Sequence, residues 1–212
     1  MTDNKNRKNR FVKAWIHEHI NDAYVNQAQK AGFRSRAAYK LLEIDEQDKI
    51  FHNVKTVVDL GCAPGSWSQV ALTKVGDFGK VIGVDLLEIQ PIHRLEFIQG
   101  DFTEDAILTQ LLQAINHQQV DLVISDMAPN LSGIKDVDQA RIAYLVELVF
   151  EFAQGYLKPG GHCLIKVFHG GEFDNLVKQA RELFTQVQVR KPGASKSKSS
   201  ETYLLCKSKK NN

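Results

Sequence analysis

Lys166 stands inside the apolar run Leu164-Ile165-Lys166-Val167-Phe168. A lysine in a strand of that composition is costly to bury unless it is paired. An edge strand or a snorkelling stem would be the bland explanation, and the apolar residues on both sides weigh against it. The preceding strand ends in Ser125-Asp126-Met127-Ala128-Pro129-Asn130, which supplies a carboxylate. Burial lowers a lysine pKa and a nearby aspartate raises it. Lys166 is therefore a candidate either to accept a proton from a substrate hydroxyl or to orient that oxygen, and the sequence leaves both open.

A second group of residues reads as a binding site. In Val57-Val58-Asp59-Leu60-Gly61-Cys62-Ala63-Pro64-Gly65-Ser66-Trp67 a strand runs into a glycine-bearing loop that opens a helix. Glycine there lets the backbone approach a ligand where a Cβ would collide. The spacing is not GxGxxG, and Pro64 removes an amide that a pyrophosphate cradle would use, so a ligand without phosphates fits better than NAD. Asp85 closes Val81-Ile82-Gly83-Val84-Asp85, where a carboxylate can accept both hydroxyls of a nucleoside ribose. Asp101, in Gln99-Gly100-Asp101-Phe102, is placed to accept from an adenine amino group. A lone Asp at a strand end is usually a turn former or cap. Asp59, Asp85 and Asp101 at three successive strand ends point instead to one crevice.

The elements that must position these residues alternate along the chain. Seven short strand-like runs begin at Thr56, Val81, Glu96, Val120, His162, Gln186 and Tyr203. Several are almost continuously apolar, as in a parallel sheet covered on both faces. Helical patterns lie between them at 105–115, 137–157 and 173–183. Lys158-Pro159-Gly160-Gly161 reads as a helix stop and a turn into the next strand. Strands joined by helices imply right-handed crossovers and a doubly wound α/β sheet. Residues 15–31 and 35–48 read as two amphipathic helices ahead of this body, and 191–200 as a flexible basic loop. The expected organisation is one domain over 11–206, with helices in 11–50 and the α/β core in 55–206. It is flanked by disordered basic ends at 1–10 and 207–212.

At 212 residues the chain suits one large domain better than two thin ones. No apolar run approaches the roughly 20 residues needed to cross a bilayer, and the polar first ten residues lack a signal sequence. Three cysteines, Cys62, Cys163 and Cys206, with no CxxC pair, argue against a disulfide framework and against structural zinc. Of the seven histidines, His17, His19, His93 and His117 show no ligand spacing, and no metal is expected. A reduced, cytoplasmic protein follows. The net charge of +2 hides an asymmetry. Residues 1–40 carry nine Lys/Arg against three acids, and 186–212 carry seven against Glu201 alone, leaving an acidic middle. Two basic ends around an acidic body suit a polyanion surface better than a solvating tail. Nucleic acid is the expected partner.

Taken together these motifs resemble the FtsJ/RrmJ family of large-subunit ribosomal RNA (uridine-2'-O)-methyltransferases. The resemblance runs from Gln27-Ala28-Gln29-Lys30 and Arg34-Ser35-Arg36-Ala37-Ala38-Tyr39-Lys40 through 57–67, 125–132 and 166–168. It continues to Val189-Arg190-Lys191-Pro192 and Ser200-Glu201-Thr202-Tyr203. It implies a Rossmann-like class I methyltransferase fold with a mostly parallel seven-stranded sheet and helices on both faces. It also implies S-adenosyl-L-methionine as cofactor and a uridine ribose in the RNA of the large ribosomal subunit as substrate. The family's Lys-Asp-Lys-Glu catalytic set falls on Lys40, Asp126, Lys166 and Glu201. Its cofactor contacts fall on Gly65, Trp67, Asp85, Asp101 and Asp126, beside Asp59 and Gly61 of the loop read above. Arg34, Arg36 and Lys196 are the expected RNA-gripping residues, on a monomer. Three alternatives remain. A base-methylating enzyme would want an aromatic after the fourth strand, which Asp126-Met127-Ala128-Pro129 lacks. A noncatalytic RNA-binding assembly factor would not need the four-residue set. A nicotinamide oxidoreductase is disfavoured by the glycine spacing.

Overall fold

The computed structural model describes residues 23–130, 132–196 and 199–211. The expectations for 1–10 and for the first part of the 15–31 helix lie outside them. Among the described residues two helices come first, α1 (Ala23–Lys30) and α2 (Ala37–Asp48). Then follow β1 (Thr56–Leu60), α3 (Ser66–Val75), β2 (Lys80–Asp85), β3 (Leu95–Gln99), α4 (Asp105–Ala114) and β4 (Val120–Ser125). The chain ends with α5 (Lys135–Tyr156), β5 (Leu157–Phe168), α6 (Phe173–Leu183), β6 (Phe184–Arg190) and β7 (Glu201–Lys209).

All seven strands form one sheet in the order β3-β2-β1-β4-β5-β7-β6. The first five pair in parallel, while β7 runs antiparallel to both β5 and β6. The doubly wound, mostly parallel fold expected from the alternating runs is the fold observed. Alternate residues of each strand bury on opposite faces. Val58, Ile82, Val123 and Ile165 meet Leu111 of α4, Val146 and Val149 of α5 and Leu176 of α6. Val57, Val81, Leu122, Leu164 and Leu205 meet Leu41 and Ile44 of α2 and Val70 and Ala71 of α3. From β1 the chain moves outward to β2 and β3, then returns to β4 on the other side of β1. The strand order therefore reverses between β1 and β4, and a crevice opens beyond their carboxyl ends.

Three local expectations are corrected. Lys158-Pro159-Gly160-Gly161 does not separate helix from strand. Leu157 already pairs with Val120, and the register then shifts so that His162 faces Leu122. The turn is folded into β5 as a bulge, which the positive φ of Gly160 (79°) allows. The 207–212 tail begins later than expected, because β7 continues through Lys209, which pairs with Phe184. The described part of the 191–200 loop is anchored, with Ala194 and Ser195 buried.

Candidate active site

Strand register brings the catalytic candidates together. Lys166 of β5 lies directly opposite Tyr203 of β7, and Glu201 is two residues earlier on the same strand. All three share the face that packs on α2, whose buried Lys40 completes the group. Asp126 follows Ser125, which pairs with Ile165, so it emerges beside Lys166. Lys166 Nζ lies 2.8 Å from Asp126 Oδ1 and 2.5 Å from the Asp126 carbonyl oxygen. Lys40 Nζ lies 2.7 Å from Glu201 Oε1. The Tyr203 hydroxyl joins the two ion pairs, donating to Asp126 Oδ1 at 2.8 Å with Glu201 Oε1 at 3.3 Å.

Each buried charge in this group is matched, which lets it persist away from bulk water. Burial by itself would raise the Glu201 carboxyl. The ammonium groups of Lys40 and Lys166 and a hydrogen bond from Ser195 outweigh it and hold the carboxyl below its ordinary value. Tyr203 is fully buried, and burial together with the charges of Asp126 and Glu201 pushes its phenol far up, so it stays a proton donor. Tyr203 and Ser195 were not singled out from the sequence. Tyr203 reads there as one more apolar strand residue, although its two-residue spacing from Glu201 puts both on one face.

The cofactor candidates frame the crevice. Gly61 has φ 75°, and a Cβ there would come within 2.1 Å of Met127 Cγ, so the loop after β1 is packed against the residue following Asp126. Asp85 accepts from the amides of Ala63 and Leu87, each at 2.8 Å, which fixes its carboxylate while leaving lone pairs for further donors. Asp101 accepts from the Thr103 amide and so also serves as a turn former. Asp59 is fully buried and takes the Ser68 hydroxyl at 2.7 Å on Oδ2, while Oδ1 has no partner. Its carboxyl is pushed up to about 7 by burial, opposed by Ser68 and reinforced by the charges of Asp126 and Asp85. Leu86 and Leu87 are exposed beside Asp85. The Cβ-free approach, the orphaned carboxyl oxygen and the acids at adjacent strand ends fit a nucleoside with a cationic or amino group.

Trp67, expected at the cofactor, faces inward. Its N–H donates to the Ala37 carbonyl at 2.8 Å and its ring centroid lies 5.7 Å from that of Tyr203. The expected RNA residues are also partly occupied. Arg34 donates to the carbonyls of Pro64 (2.8 Å) and Pro91 (2.9 Å), and Arg36 donates to the Ala194 carbonyl (2.6 Å). Lys196 lies on the exposed side of that anchored loop.

This sheet order, with a nucleoside-type crevice at its reversal point and a lysine-centred polar group beside it, defines a Rossmann-like methyltransferase. The model of the FtsJ-like methyltransferase family matches residues 33–209, and the chain belongs to that family. It is 58% identical over 193 residues to a ribosomal RNA large subunit methyltransferase E of Methylobacillus flagellatus, covering 91% of this chain and 93% of that one. It is 54% identical over 199 residues to the protein of the same description from an Azoarcus species, covering 94% and 97%. Among solved structures, a ribosomal RNA methyltransferase from Plasmodium falciparum superimposes with a TM-score of 0.76 at 31% identity, covering 85% of this chain and all of that one. The family expected from the motifs is therefore the family found.

Proposed function

We propose that this enzyme transfers a methyl group from S-adenosylmethionine to the 2'-oxygen of a uridine ribose in large-subunit ribosomal RNA. The observation that carries the reading is the chain of contacts Lys166–Asp126–Tyr203–Glu201–Lys40 beside the crevice. The names of the close relatives support the RNA of the large subunit as substrate. Asp85 would take the ribose hydroxyls of the cofactor, Leu86 and Leu87 would offer apolar surface to its adenine, and Asp101 would accept from the adenine amino group. Gly61 and Gly65 would let the loop backbone come close. When bound, S-adenosylmethionine supplies an electrophilic methyl on a sulfonium sulfur, which leaves neutral.

The protein's task is then to hold the ribose oxygen in line with that methyl, and positioning of this kind supplies much of the rate. An ammonium has three N–H donors, and Asp126 takes two of those on Lys166. The remaining direction is left for the 2'-oxygen, whose proton would pass to solvent water as the C–O bond forms. Tyr203 and the Lys40–Glu201 pair keep Asp126 and Lys166 in register. Lys196 and the basic loop anchored by Arg36 would face the phosphates. We propose the assembled large subunit as the form methylated and a cytoplasmic monomer as the form acting. The three free, buried cysteines accord with a reducing compartment.

The test is transfer of labelled methyl to large subunits from cells lacking the protein and, in parallel, to naked RNA, with the wild type and Lys166→Ala. Label on a ribose 2'-oxygen, lost in the variant, is expected. Label on a base would overturn the reading, and label on naked RNA alone would overturn the assembled-particle part of it.

A further inference from the structure

We infer that Arg34 is a cofactor-positioning residue, a brace between the two loops beside the cofactor crevice, and not a residue that grips RNA phosphates. The inference rests on the reading that S-adenosylmethionine binds in that crevice. It starts from the turn between α1 and α2. Gln69 of α3 accepts the Arg34 amide on Oε1 at 3.0 Å and donates through Nε2 to the Gly32 carbonyl at 2.9 Å. The Ser35 and Ser66 hydroxyls lie 2.7 Å apart. The turn is thus fastened to the first residues of the helix that the cofactor loop opens.

From this fixed backbone the Arg34 guanidinium reaches two carbonyls in different loops. Nη1 donates to Pro64 O in the loop after β1, and Nη2 donates to Pro91 O in the loop after β2. Those strands are parallel neighbours, so both loops leave the sheet at the same edge. The loops also touch directly, since a Cβ on Gly65 would meet Ile92 Cδ1 at 2.5 Å and Arg34 Nη1 at 3.2 Å. One loop carries Gly61 and Gly65, and the other begins at Asp85. A planar fork is suited to holding two acceptors at a fixed separation, which a lysine point charge cannot do. One N–H of each terminal nitrogen goes to a protein carbonyl, which fixes the guanidinium plane between the two loops and turns that edge of the fork away from a phosphate.

The consequence is a separation of effects. Without the brace, the loops must be ordered by the cofactor itself, so the loss falls on cofactor affinity. Phosphate contacts, by contrast, set the salt slope of RNA binding. The experiment compares wild type, Arg34→Ala and Arg34→Lys by calorimetric titration with S-adenosylhomocysteine, by KM for S-adenosylmethionine and for RNA, and by the salt slope of RNA binding. The expected result is a cofactor Kd raised about tenfold in Arg34→Ala, with Arg34→Lys recovering only part of it, and an unchanged RNA salt slope. Should Arg34→Ala fail to fold, Arg34→Lys alone carries the comparison. A salt slope lowered by about one with cofactor affinity intact would overturn the inference and restore Arg34 to the RNA surface. Equal losses for cofactor and RNA, tracking a lowered Tm, would also overturn it in favour of a general structural role. A wild type that binds no S-adenosylhomocysteine would refute the cofactor reading itself.

Discussion

Lys166 Nζ lies 2.8 Å from the carboxylate of Asp126 and 2.5 Å from the carbonyl oxygen of the same residue. A single residue therefore fixes the direction of the ammonium, through both its side chain and its main chain. Arg would be too long for this geometry and Ala would leave Asp126 facing Tyr203 alone. Replacing Lys166 with Ala is expected to lower kcat by about 10²–10⁴-fold, the usual worth of a positioned proton-handling group. Single-turnover assays with saturating RNA measure this. A loss below threefold would remove Lys166 from the chemistry.

Tyr203→Phe deletes the hydroxyl that links the two ion pairs while keeping the ring against Trp67. Asp126 retains Lys166, so the effect should be smaller than in Lys166→Ala. A fall in kcat of about tenfold is expected, corresponding to about 1.4 kcal/mol. A pH–rate profile displaced from that of the wild type is expected with it, because the one hydroxyl proton set between Asp126 and Glu201 is removed. An identical rate and profile would make Tyr203 a packing residue only.

Much of this arrangement is legible in the sequence, and the reasons for the exceptions are physical. Strand ends bearing Asp59, Asp85, Asp101 and Asp126 stand out because parallel strands covered on both faces are apolar until they finish. Lys166 stands out for the same reason. Tyr203 does not, because an aromatic in an apolar run is what a core strand ordinarily contains, and only the register with Lys166 reveals its hydroxyl's partners. Composition reports the charges of Arg34 and Arg36 but not the protein carbonyls that their guanidinium groups touch. The tail at Lys207 to Lys209 was read as disordered because its composition hides its pairing with β6. Lys207 is bound to Asp48 by side chain and carbonyl.

Asp48 caps that relationship and yields a stability prediction. It takes Arg190 on both oxygens, at 2.7 and 2.8 Å, and Lys207 at 3.2 Å, tying the end of α2 to β6 and β7. Hydrogen bonds from Arg190 and Lys207 hold its carboxyl below the ordinary value despite partial burial. A depressed folded pKa contributes stability that is present above the unfolded pKa and lost as the pH falls through the folded one. Asp48→Asn should therefore cost about 1.5–3 kcal/mol at pH 7. The cost should shrink below about pH 4 in urea melts. An equal cost at both pH values would show that charge is not the source.

Asp59 predicts the opposite sign. Its folded carboxyl titrates at about 7 against 3.8 for the free side chain, chiefly because burial penalises the charge. Between those values the folded state keeps a proton that the unfolded state has released, so stability falls as the pH rises through the window. Asp59→Asn abolishes that dependence. Relative to wild type, the variant's urea midpoint should rise most at pH 8, less at pH 5, and change little below about pH 4. A displacement of the same size at all three would mean that Asp59 does not ionise across the window.

Gly61 supplies the sharpest steric prediction. Its φ of 75° is strained for any other residue, at about 1–2 kcal/mol. In addition, a new Cβ would lie 2.1 Å from Met127 Cγ and 3.1 Å from Met127 Cα. The side chain can swing aside, but the backbone of the residue after Asp126 cannot yield without moving Asp126 and its hold on Lys166. Gly61→Ala should consequently weaken cofactor binding and lower kcat together, by more than its loss of Tm alone would explain. Gly155 provides the control, because it lies in the exposed part of α5 with nothing within 4 Å of a built Cβ. Gly155→Ala should stabilise the protein by about 0.5–1 kcal/mol through helix propensity and leave both measurements as in the wild type. If Gly61→Ala changed only Tm, the contact between the two loops would have no part in holding the site.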